Sequence, residues 1–203
     1  MTELPDSGLM FDEESHVYTL RGLQLPSVTQ IMKPLNAMIY NGVPDQMMMV
    51  AADRGTRAHS QVEAIVKYGV VEADEDTEPY VNAFQDFQKM FSPVWIASEY
   101  KTYHKNLRYA GMIDLIGFVE PDDGNGVDVI DLKTTASWHP VLLETQLSAY
   151  AEALKSQSIK VRNVYGLQVT RYGKFRFEKL GDGFKVFLHC LGIYNAAAIE
   201  LMK

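Results

Sequence analysis

The 203-residue, 22.9 kDa chain is 47% hydrophobic and 22% charged, an ordinary globular composition at a length that buries a core without disulfides or a structural metal. Its formal charge of −7 excludes coating of nucleic acid by bulk electrostatics, and its single cysteine, Cys190, excludes an internal disulfide, a four-cysteine zinc site and a self-contained iron–sulfur cluster. No apolar run reaches the length of a membrane span and the start, Met1 to Asp12, is acidic where a signal peptide is basic, so a cytoplasmic protein with no membrane partner is expected.

In chain order, the first expected element is a hairpin, His16 to Leu20 and Leu23 to Leu25 about Arg21-Gly22. Pro26-Ser27 and a short helix capped by Ser27 follow, and Pro34 and Pro44 punctuate the next stretch. A helical pattern runs from Asp45 to Tyr68 and ends at Gly69. A second helix, Thr77 to Met90, presents Tyr80, Phe84 and Phe87 on one face, and six acids without a base lie between Glu72 and Asp86. After Pro93 come three strands with short connections, Val94 to Tyr103, Leu107 to Val119 and Val127 to Thr134, which form an antiparallel meander. Pro140 to Leu154 is helical. Arg162 to Thr170 and Lys174 to Leu180 form a hairpin about Arg171-Tyr172-Gly173, and a helix from Phe184 to Met202 closes the chain. The order predicts one α/β domain over residues 1–203, with helices on both faces of a mixed central sheet. Residues 1–44 form an amino-terminal elaboration, 45–180 the core and 184–202 the closing helix. Lys155 to Lys185 carries eight bases against two acids, either a basic face or a set of solvated surfaces.

Several polar residues stand out on these core elements. Side chains two apart on a strand share a face, so Asp131 and Lys133 lie together while Ile130 and Leu132 point to the opposite, buried side. Asp114 interrupts the apolar run Gly111-Met112-Ile113-Asp114-Leu115-Ile116-Gly117. A carboxylate there is costly unless a lysine pairs with it or, more completely, a divalent cation neutralises it. His59 and Glu63 are four apart on a helix, as are Gln146 and Tyr150. Each pair alone is far more often a surface contact or without function; their succession on core elements singles them out. His16, His104, His139, His189 and Cys190 are read as non-catalytic, and no serine or cysteine completes a triad with a histidine and an acid. No Gly-x-x-x-x-Gly-Lys loop is present, so the polypeptide has no ATP motor of that kind.

On these residues the sequence resembles the PD-(D/E)XK nucleases, and among them the RecB-like and phage-type exonucleases. Arg54-Gly55-Thr56-Arg57-Ala58-His59 with Glu63 is similar to the family's first-helix motif, and Gly111-Met112-Ile113-Asp114 to its Gly-x-x-Asp strand. Asp131-Leu132-Lys133-Thr134 resembles the Asp/Glu-x-Lys motif, Gln146 to Tyr150 the Gln-x-x-x-Tyr helix, and Pro26-Ser27-Val28-Thr29-Gln30-Ile31 an amino-terminal element of phage and mitochondrial-type members. The order matches the family's αβββαβ core. The proline that precedes the first acid in many members is absent at Asp114, and so are the four cysteines of the cluster-bearing members.

The resemblance implies a DNA exonuclease using one or two Mg2+ or Mn2+ ions and no iron–sulfur cluster. The alternatives are a structure- or site-specific endonuclease and a non-catalytic DNA-binding protein on the same fold. Asp114, Asp131, the carbonyl of Leu132 and His59 are the expected metal ligands, hard oxygens with one imidazole. Lys133 is expected to orient or deprotonate the attacking water and to stabilise the transition state, and Glu63 to hold a water or a second ion. Gln146 and Tyr150 are expected to position the phosphate, with Glu99 at the rim. Arg54, Arg57 and Thr134 are assigned to DNA contact, together with the clusters Lys101, Lys105, Arg108 and Lys174, Arg176. Bacterial or phage recombination, repair or end processing is the expected setting, with a recombinase, annealing protein or helicase supplied in trans. The oligomeric state is left open.

Overall fold

A computed structural model of the chain describes residues 4–42, 44–70 and 73–201; Met1, Glu72 and Met202, which bound three of the segments above, lie outside them. β1 (Leu9–Asp12), β2 (Val17–Leu20) and β3 (Leu23–Leu25) form a small antiparallel sheet. The hairpin is the expected one. β1 is an addition, too short for its alternation to show in the sequence, and His16 sits in the turn before β2 with φ 57°.

α1 (Val28–Ile31) begins with a capping box: Ser27 Oγ accepts the Gln30 N–H at 3.0 Å while Gln30 Oε1 accepts the Ser27 N–H at 2.9 Å. Pro34 does not interrupt the chain there; it occupies the first turn of α2 (Lys33–Ile39), where a missing N–H leaves no bond unmade. α3 (Asp45–Tyr68) ends at Gly69 in the left-handed conformation, and α4 (Glu78–Phe91) follows.

β4 (Val94–Tyr103), β5 (Ala110–Phe118), β6 (Val127–Lys133), β7 (Val161–Val169) and β8 (Phe175–Lys179) lie in sequence order in one sheet. All neighbours are antiparallel except β6 and β7, which are parallel and joined by the crossover helix α5 (Pro140–Ser156). α6 (Phe184–Leu201) ends the described chain. Val28, Ile31, Ile116, Val129, Leu147 and Phe187 form one core on the α1, α5 and α6 side of the sheet. Ala58, Val62, Phe84, Phe87, Ile130 and Leu167 form a second on the α3 and α4 side.

The sheet is therefore buried on both faces, which corrects the expectation of one buried and one polar face for β6. Val129 and Ile130 enter opposite cores, and Asp131 is itself only 2% exposed. The small sheet is fastened to the start of β5, because the Ala110 N–H donates to the Pro26 carbonyl at 2.9 Å and Ser27 bridges Ala110. Among the described residues no helix is long and apolar enough to cross a membrane.

Candidate active site

The site begins where the β5–β6 ladder stops. Regular pairing covers Leu115 to Gly117 against Asp128 to Ile130, and one residue further on the carboxylate of Asp114 takes the place of a backbone acceptor. Its Oδ2 receives the Leu132 N–H at 2.6 Å. Alternation breaks at the same point, with Ile113 in the α5-side core and Leu115 in the α3-side core, so Asp114 opens the two strands instead of lying flat on one face. What meets Asp114 is thus the N–H of Leu132.

Asp131 and Lys133 do share a side of β6. Lys133 Nζ lies 2.7 Å from Asp131 Oδ2. Lys133 also donates to Gln146 Oε1 at 3.3 Å, and Gln146 Nε2 donates to the Tyr150 hydroxyl at 3.1 Å. The i, i+4 spacing on α5 makes the last step possible. The chain of contacts ends on Gly111, where a Cβ would stand 2.5 Å from the Tyr150 ring. Glycine at the head of the Gly-x-x-Asp segment therefore has a local cause: the tyrosine ring fills the place of its side chain. A second approach joins Gly55 to Thr134, whose Oγ1 would lie 3.0 Å from a Cβ at Gly55.

His59, Glu99 and Asp114 form the one group of potential metal ligands among the described residues, with a donor atom from each within 4.8 Å of the others. His59 Nδ1 is 3.6 Å from Asp114 Oδ1. Asp131 lies outside this group of three. Glu99, assigned from sequence to the rim, lies inside it and takes φ 49° in the middle of β4, a left-handed backbone that a non-glycine residue adopts at a cost. Glu63 is ion-paired to Lys67 one turn further along α3 and faces Glu99 closely enough to disfavour its ionisation.

The electrostatics are those of acids crowded together without enough cations. Burial first, then the charge of Asp114, pushes Glu99 up to about 7. Burial likewise raises Asp131, against the pull of Lys133. Burial opposes protonation of His59 and Lys133, but the neighbouring carboxylates outweigh it and hold both above their ordinary values. Asp114 stays below the carboxylate range despite its burial, through His59, Lys133 and the Leu132 N–H. A divalent cation fits this donor set: carboxylate oxygens with one imidazole and an excess of negative charge.

Sequence reasoning missed Tyr18. This residue of β2 is 4% exposed, and burial followed by Glu99 and Asp114 raises its phenol, which places the small sheet against the site. No spacing in the sequence links residue 18 to residues 99 and 114; only the docking of Pro26 and Ser27 on β5 does.

The expected DNA contacts divide into two sets. Arg57 is engaged by Asp53, Asp74 and Asp76. Arg54 lies over the Tyr80 ring at 5.5 Å with its Nε buried and unpartnered. Arg176 pairs with Glu178 at 2.7 Å and covers the Trp138 ring at 4.6 Å. Lys101, Lys105, Arg108 and Lys174 are exposed.

No protein-family model matches the sequence, and no curated protein matches it either. Solved structures do. A protein of Eubacterium rectale provisionally named an exonuclease superposes with a TM-score of 0.50 at 10% identity, over 72% of this chain and 66% of that one, so the chain spans about two thirds of its length. An alkaline exonuclease of Laribacter hongkongensis gives a TM-score of 0.42 at 9% identity, over 72% of this chain and 82% of that one. Its complex with dAMP gives 0.42 at 8%, over 88% and 91%. The chain thus shares an α/β fold, a five-stranded mixed sheet flanked by helices, with the Eubacterium rectale protein.

Proposed function

We propose that the protein is a metal-dependent DNA exonuclease. The observation that carries this reading is the cation-ready group His59, Glu99 and Asp114 beside the ion pair of buried Asp131 with Lys133, at the point where the β5–β6 ladder stops. Asp114, Glu99 and His59 would hold Mg2+ or Mn2+, with Asp131 on the edge of the group. When bound, the ion supplies Lewis-acid polarisation of the phosphate and a lowered pKa for an attacking water. Lys133, kept as an ammonium by Asp131 and Asp114 against the effect of burial, supplies fixed positive charge to the developing phosphorane and orients the nucleophile. Gln146 fixes the position of Lys133 and is itself fixed by Tyr150.

On this reading the chain acts as one nuclease domain in bacterial or phage-infected cytoplasm, on DNA ends made in recombination or repair, with any helicase or annealing protein supplied in trans. The test is cleavage of end-labelled linear duplex and single strands beside covalently closed circles, with Mg2+, Mn2+ or chelator. Metal-dependent loss of linear DNA with circles intact is the expected result. Equal cutting of circles transfers the site to an endonuclease, and no cleavage with any metal overturns the proposal.

A further inference from the structure

The end of the sheet that carries Lys133 also carries a second constellation, built from residues that the chemistry above does not use. β6 and β7 are parallel, so the turn between β7 and β8 lies at the same end as Lys133. Lys133 is opposite Gln168, and Gln168 is opposite Arg176, so the three stand in one row on one face. Two strand spacings separate the ends of that row, about 10 Å.

The loop after Lys133 crosses this row and is tied to it. Gln168 Nε2 donates to the Thr135 carbonyl at 2.7 Å, and the Trp138 ring drops onto β7 where Gly166 leaves space, 2.4 Å from the position of a missing Cβ. The indole N–H is buried without a partner, so the ring is held by the Gly166 slot and by Arg176, whose guanidinium covers it at 4.6 Å. Beyond it, at the hairpin tip, Arg171 lies 4.8 Å from the ring of Tyr172, and Tyr172 is 70% exposed. From Thr170 to Glu178 the hairpin holds three bases and one acid, Glu178, which pairs with Arg176.

We infer that this surface is a stacking path for the single-stranded end of a nucleic acid, with Arg176 on Trp138 and Tyr172 on Arg171 as successive platforms leading to Lys133. The inference rests on the nuclease reading of the neighbouring site and deepens it by naming the form of substrate that enters. Planar guanidinium and phenol faces receive bases of any sequence, and the exposed Arg171 and Lys174 follow the phosphates. Duplex hides its base faces and gains only the electrostatic part.

The experiment measures binding of an oligothymidylate and of a blunt hairpin duplex in Ca2+ or chelator, beside hydrolysis of bis(p-nitrophenyl) phosphate in Mn2+. A Trp95→Phe background leaves Trp138 as the only indole. Oligothymidylate should quench its emission. Arg176→Ala and Tyr172→Ala, both exposed positions, should each weaken oligothymidylate binding about 5- to 150-fold and duplex binding less, as expected for the loss of one stacked base. Arg176→Lys, which keeps the charge and loses the plane, should behave like Arg176→Ala, while hydrolysis of the small diester stays at the wild-type rate. Unchanged emission, rescue by lysine, or equal loss for duplex and single strand would each overturn the inference and leave the nuclease reading intact. If the wild type hydrolyses neither DNA nor the diester but the variants still lose oligothymidylate, the nuclease reading falls and the stacking path stands.

Discussion

Gly111→Ala is the most direct probe of how the site is assembled. A methyl group at residue 111 would sit 2.5 Å from Cε1 of Tyr150, against about 3.5–4.0 Å for relaxed carbon contacts. Tyr150 is 4% exposed, and its hydroxyl is held by Gln146, so the ring has little room to retreat. Overpacking of this kind costs about 1–3 kcal/mol, whereas alanine for glycine in an unhindered strand gains roughly 0.5–1 kcal/mol. The sign alone therefore separates the two accounts. Tyr150→Ala, which empties the space, costs about 3–5 kcal/mol by cavity formation. In the double variant the clash has no partner, so it should be more stable than the sum of the single losses by about 1–3 kcal/mol. Urea unfolding of the metal-free proteins reads the cycle, and cleavage assays read its consequence for Gln146 and Lys133. Additivity within about 0.5 kcal/mol would refute the contact as the reason for glycine at this position.

Asp131→Ala and Lys133→Ala should each lower cleavage more than tenfold, over about 1.4 kcal/mol of barrier, with native circular dichroism; either retaining more than a tenth of wild-type rate removes it from the site. Asp114→Asn should abolish Mn2+ binding by calorimetry while keeping an acceptor for the Leu132 N–H. Asp114→Ala should abolish it and in addition cost about 1–3 kcal/mol in urea unfolding for the unmet donor. Glu99 is protonated more readily in the fold, at about 7, than in the unfolded chain, at 4.5. Its contribution to metal-free stability is therefore full below 4.5 and is lost as pH rises through 7, by about 1–2 kcal/mol after allowance for solvent around the half-buried group. Glu99→Gln should flatten that part of the stability–pH curve, and an unchanged slope would show that Glu99 ionises freely. Mn2+ at a hundred times its dissociation constant should stabilise the wild type by about 2.7 kcal/mol and Asp114→Asn not at all, read as a shift in unfolding midpoint.

The legible parts of this fold are those whose periods are local. Alternation in Val94–Tyr103 and the left-handed Gly69 after a long helix give element bounds that match the structure closely. Asp131 with Lys133 and Gln146 with Tyr150 were readable because two-residue and four-residue spacings fix which side chains share a side. Three things lay beyond the sequence. β1 is too short to declare a period. The break of alternation at Asp114 is imposed by its bond to Leu132 on another strand. Glu99 enters the metal group only because its backbone turns left-handed opposite Asp114, a strain that no residue type in Ser98-Glu99-Tyr100 announces.

The last two of these features are related, and the relation explains why acids are tolerated so deep in a sheet buried on both faces. A carboxylate on a regular central strand would face packed hydrocarbon on whichever side it pointed. At Asp114 the ladder gives up its regular hydrogen bonds to β6, and the carboxylate replaces one of them, so its oxygen is satisfied by the group that lost its partner. The opening left between the strands is then lined by what the interrupted ladder no longer covers: His59 from α3, Glu99 from the distorted part of β4, and the Asp131–Lys133 pair at the end of β6. Polar groups gathered in this way repel one another, as the raised Glu99 and Asp131 record. The same crowding that sets Glu99 and Asp131 against ionisation is what would favour a divalent cation among them.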